Sequence, residues 1–67
     1  MKYKIGDTVH FKIPMVYKQS SIEYRDVIGT ITQIYSKLNA YDILPEEYDT
    51  AQYVPSHNIY GEIRGID

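Results

Sequence analysis

Val27-Ile28-Gly29-Thr30-Ile31-Thr32-Gln33-Ile34-Tyr35 is the stretch on which the fold turns. β-Branched residues dominate it, so it reads as a strand. Its alternation breaks once. With Ile31 inside, a period of two puts Gln33 inside as well and leaves Ile34 on the opposite face. A bulge or sharp bend near Thr32-Gln33 restores the phase, and such a bend lets one strand serve two sheets of a small barrel. Tyr35 then points outward.

Toward the N-terminus, Thr8 to Ile13 alternates Val9, Phe11 and Ile13 against Thr8, His10 and Lys12, the pattern of a half-buried strand entered through a Gly6-Asp7 turn. Pro14 is expected to end its pairing, and Met15 to Asp26 to form a long hairpin-like loop. Toward the C-terminus, Ser36 to Asn39 reads as a short turn, and Tyr41 and Ile43 as the inner face of a strand that Pro45 closes. Glu46 to Thr50 is an acidic loop and Tyr53-Val54 a short strand. Pro55 to Asn58 is a 3₁₀ or β-turn, and Ile59, Gly61 and Ile63 alternate in a last strand. The expected architecture is all-β, a single domain over residues 1–67. About five short antiparallel strands form a small barrel, with a short 3₁₀ turn before the last.

Composition limits what such a barrel can hold. The chain has 67 residues, 43% of them hydrophobic, with no cysteine and no tryptophan. Ordering a residue costs about 1.5 kcal/mol, so without a disulfide or a structural metal nearly every apolar side chain must bury surface. The expected core is Val9, Phe11, Ile13, Ile31, Ile34, Tyr41, Ile43, Val54, Ile59 and Ile63. A second domain and a large internal cavity are excluded on this ground. No apolar run has the length of a signal-peptide core or a membrane span, so the cytoplasm is the expected compartment.

The formal net charge of −2 averages two unlike halves. Residues 1–37 carry six basic side chains against three acidic ones, whereas residues 38–67 carry Arg64 against six acidic ones.

Taken in order, Ile5-Gly6-Asp7-x-Val9, Gly29-Thr30-Ile31-x-x-Ile34, Tyr41-x-Ile43 and Val54-x-x-x-x-Ile59-x-Gly61 resemble the small SH3-like barrels. Within that group the chain is most similar to the YorP family, short SH3-like proteins of prophage origin. The resemblance implies Gly-Asp opening the first strand, Gly-x-Ile in the bent second strand and a 3₁₀ turn between the fourth and fifth. It implies no activity, since the wider class binds Pro-rich peptides, methylated tails or nucleic acid, or serves as assembly parts.

Three kinds of partner follow from the residues. If the barrel plan holds, Tyr17, Tyr24, Tyr35, Asn39, Pro55 and His57 lie near one another as an aromatic loop face for a protein partner. A Pro-rich ligand fits poorly, because there is no tryptophan and the first long loop is mixed rather than acidic. Against this face stands the demand of the small core, which competes for each of these tyrosines as a packing residue. The alternative is nucleic acid, held by Lys12, Lys18, Arg25 and Lys37 with tyrosines stacking on bases. Self-association of a chain that is otherwise monomeric, through edge strands of an open barrel, is the third reading.

His10 and His57 lack neighbours at metal-ligand spacing, and Glu46, Glu47 and Asp49 lack the Gly and spaced oxygens of a calcium loop. No nucleophile-base ordering or phosphate-cradling loop occurs. The expectation is a non-enzymatic binding or assembly module without metal or cofactor.

Overall fold

The computed structural model describes residues 2–16 and 22–63, and of Met15, Val16 and Ile22 the backbone alone. Five strands, β1 (Thr8–Val16), β2 (Ile22–Tyr35), β3 (Ala40–Pro45), β4 (Gln52–Pro55) and β5 (Ile59–Glu62), are accompanied by 3₁₀ turns at Ser36–Leu38, between β2 and β3, and Ser56–Asn58, between β4 and β5. All pair antiparallel in one open sheet of order β4-β3-β2-β1-β5, as expected of an all-β chain and consistent with the SH3-like plan. Val54 on one edge strand is buried in the same cluster as Phe11, Ile31, Tyr41 and Ile43, and Ile59 on the other edge packs against it. Opposite edges of one sheet can share a core only if the sheet curls around it.

The curl has a local cause where the sequence places it. Along β2 the register with β3 runs Ile31 to Ile43 and then Gln33 to Asp42, so Thr32 is an extra residue on β2. Its hydroxyl donates to the Asp42 carbonyl at 3.3 Å. Beyond this bulge the inward phase passes from Val27 and Ile31 to Ile34. A second bulge acts at the other edge. Phe11 opposes Ile59 but His10 opposes Gly61, leaving Tyr60 extra on β5.

That second bulge corrects one core assignment. Ile63, expected inside with Ile59, is 39% exposed. After the extra residue it falls level with Thr8, to whose carbonyl its N–H donates at 2.8 Å, and so takes the outward phase of Thr8 rather than the inward phase of Val9. The strand accordingly ends at Glu62.

Pro14 and the segment after it differ from expectation as well. Pro14 lies within β1 opposite Tyr24, and the ladder runs on to Val16 opposite Ile22, so most of Met15 to Asp26 is strand rather than loop. Thr8 turns its carbonyl toward β5. By alternation the even-numbered residues of β1 face that side, and β5 pairs no further along β1 than Phe11. The N–H that proline lacks is therefore one that no strand would accept.

The N-terminal turn acts as read. The Lys4 N–H donates to the Asp7 carboxylate at 2.9 Å, and the Asp7 N–H donates to the Lys4 carbonyl at 3.0 Å. Gly6 sits at φ 97°, which a residue without a Cβ accepts readily. The turn folds Tyr3 back onto the core, edge-on to Tyr41 with ring centroids 5.8 Å apart. Tyr3 is as buried as a strand residue.

Candidate partner-binding surface

β2 ends at Tyr35, and the first 3₁₀ turn carries the chain to Asn39. Asn39 adopts the left-handed conformation (φ 54°, ψ 51°) and donates its N–H to the Ser36 carbonyl. The chain then returns as β3, where Ala40 stands in register between Tyr35 and Pro55. The Asn39 carbonyl accepts from the Ser56 N–H at 3.0 Å, which fastens the second 3₁₀ turn to the first. Tyr35, Asn39 and Pro55 are thus brought to one end of the sheet, with His57 two residues past Pro55 in the second turn. These four of the expected protein-binding residues do lie together.

The outward phase of this end adds Asp42 and Tyr53, which oppose each other between β3 and β4. The Tyr35 hydroxyl donates to Oδ2 of Asp42 at 2.7 Å. Its ring lies 6.0 Å from that of Tyr53, tilted by 40°. The carboxylate that accepts its proton, and secondarily burial, hold the Tyr35 phenol above its ordinary pKa of 10.0. Tyr35 is thereby fixed, while Tyr53 is 55% exposed and Leu38 64% exposed. A shallow groove runs along Tyr35, Ser36, Lys37 and Leu38. Tyr53 and Leu38 were missed as site residues. Tyr53 had a signal: alternation with the inward Val54 turns it outward.

Tyr24 does not join this end. It stands on β2 eleven residues before Tyr35, and Lys12 Nζ lies 4.3 Å from its ring centroid. Eleven residues of extended chain span roughly 36 Å, so the pair occupies opposite ends of one strand even after the bend at Thr32. Tyr17 lies outside the described residues, as does Lys18. Among the remaining basic candidates, Arg25 is ion-paired with Glu47, and Lys37 belongs to the Tyr35 end. Lys12, Arg25 and Lys37 therefore form no common patch, and Glu23, Asp26, Glu46 and Glu47 are interleaved with those on β1 and β2 or lie beside them.

On the outer face of β1, β2 and β5 the Tyr60 hydroxyl donates to Oδ1 of Asp26 at 3.0 Å, and its ring lies 4.8 Å from that of His10. Burial first, then the Asp26 hydrogen bond, raises the Tyr60 pKa. A cleft of about 280 Å³ opens where β3 leaves β2, between Asp26, Ile28, His10 and the Pro45-Glu46-Glu47 turn. Among the described residues no three His, Cys, Asp or Glu side chains gather at metal-binding distance. Among the same residues no helix is long and apolar enough to cross a membrane.

No family model, curated protein or solved structure matches the chain.

Proposed function

We propose that the chain is a non-catalytic binding module that receives a segment of a protein partner at the Tyr35–Tyr53 end of its sheet. The observation that carries the reading is the fixed aromatic pair beside an exposed Leu38: Tyr35 is pinned by Asp42, whereas Tyr53 and Leu38 leave apolar surface uncovered. Rigid tyrosines lose little conformational entropy on binding and supply contact area together with a polar tip. Asn39, Pro55 and His57 border the pair, and Lys37 adds a positive rim. The ordered motifs that resemble those of small SH3-like barrels support reading it as a prophage-type module. The basic residues give nucleic acid less support, since Asp26 stands opposite Lys12, Glu47 lies beside Arg25, and Lys37 belongs to the Tyr35 end of the sheet.

The test is capture of proteins from lysate, with and without nuclease, by the wild-type chain and by a Tyr53→Ala/Leu38→Ala variant. Both substituted side chains are exposed, so the variant is expected to keep the fold and lose the captured protein. Capture that survives the double substitution, or that disappears with nuclease, refutes the reading.

A further inference from the structure

The N-terminal part of β2 has a free edge. The Ile28 carbonyl accepts from the Glu46 N–H at 2.9 Å, on the side of β3, whereas Ile31 exchanges hydrogen bonds with Gly6 and Asp7 on the side of β1. Before the bulge, then, even-numbered residues of β2 turn their backbone groups toward β3 and odd-numbered ones toward β1. Pairing with β3 begins only at Gly29. The outward N–H and C=O groups of Ile22, Tyr24 and Asp26 consequently have no strand beside them among the described residues. Glu23, Tyr24, Arg25 and Asp26 are all exposed. The companion edge of the same two-stranded ribbon, on β1, is blunted by Pro14.

The sequence on the free edge, Ile22-Glu23-Tyr24-Arg25-Asp26, is self-complementary when read against itself in reverse. We propose that two copies of the chain join by antiparallel pairing of this edge, about a two-fold axis through Tyr24. Tyr24 then exchanges both backbone hydrogen bonds with Tyr24 of the second copy, and Ile22 does so with Asp26. Glu23 stands directly opposite Arg25 twice, once on each side of the axis, and the two Tyr24 rings meet on the other face.

Charge selects this axis. Moving it by one residue sets Glu23 against Glu23 or Arg25 against Arg25, and a parallel alignment opposes like charges at both positions. Glu23 has no side-chain partner among the described residues, and the Arg25–Glu47 pair is exposed on both sides, so Arg25 is able to turn to a second acceptor. The proposal does not depend on the Tyr35–Tyr53 end, which the pairing leaves uncovered.

Sedimentation from micromolar to millimolar concentration tests it with the variants E23R and R25E. The wild-type chain is expected to dimerise weakly, as suits a small interface. Each variant alone faces like charges across both contacts, and its dissociation constant should rise at least about tenfold. Mixed in equal amounts, E23R and R25E restore opposite charges at every contact and should recover dimerisation to near the wild-type level, which also demonstrates that both are folded. A wild-type chain that is monomeric at millimolar concentration, a single variant that dimerises as well as the wild type, or a mixture that stays monomeric overturns the proposal.

Discussion

Gly29 lies against the backbone of Leu44 so closely that a Cβ built on it would stand 2.5 Å from the Leu44 carbonyl oxygen and 2.9 Å from Cγ2 of Ile43. Backbone cannot swing aside as a side-chain tip does. Gly29→Ala is therefore expected to push β2 and β3 apart at the centre of the sheet and to cost about 3 kcal/mol. The urea midpoint should fall accordingly, a large share of the margin of so small a domain.

Asn39 holds a left-handed backbone, with φ at 54°. A β-carbon without a polar tip tolerates this less well, so Asn39→Ala should cost about 1 kcal/mol while Asn39→Gly stays within about 0.5 kcal/mol of wild type. Thermal unfolding of the two variants gives the comparison, and an equal effect of both would place the importance of Asn39 in its side chain.

Tyr35 makes stability depend on alkaline pH. Its folded pKa lies above the ordinary 10.0 because Asp42 accepts the hydroxyl proton and burial disfavours the phenolate. The fold thus prefers the protonated form. This contribution is complete below the unfolded value and is lost as pH rises from there through the folded value. Denaturant unfolding on either side of pH 10 should show a steeper alkaline loss for wild type than for Tyr35→Phe. Equal losses would mean that the Asp42 contact does not hold the proton in solution.

Arg25 and Glu47 form an ion pair with side chains 46% and 66% exposed. Water competes for both, so a double-mutant cycle with Arg25→Ala and Glu47→Ala should return a coupling of no more than about 0.5 kcal/mol, falling further with salt.

The succession of strands along the chain and the bulge were legible because they leave a mark within a few residues. The odd step from Ile31 to Ile34 cannot be reconciled with a straight strand, and the structure answers it with an extra Thr32. Features set by distant partners were hidden. Pro14 looks like a stop until one knows that β5 pairs no further than Phe11. Tyr3 has no alternating neighbours, so nothing local announces its place against Tyr41. The bulge at Tyr60, which turns Ile63 outward, was masked by an Ile-x-Gly-x-Ile pattern that fits plain alternation.

The candidate site was legible in part for the same reason. Tyr35, Asn39 and Pro55 were grouped correctly since short turns tie their strands together. Tyr24 was grouped with them on the assumption of a long loop folding over the barrel, but the strand carries it the other way.

The extra residue at Thr32 also determines which changes the chain can absorb. Most of its information lies not in the threonine side chain but in the number of peptide units separating Ile31 from Ile34. A substitution there keeps that number. Removing Thr32 makes it even, and Ile31 and Ile34 then share a face in an unbroken ladder opposite Ile43 and Tyr41, with no extra residue left to bend β2. Letters at this point are thus interchangeable so long as the count stands, whereas a change in the count alters how far the sheet closes on itself.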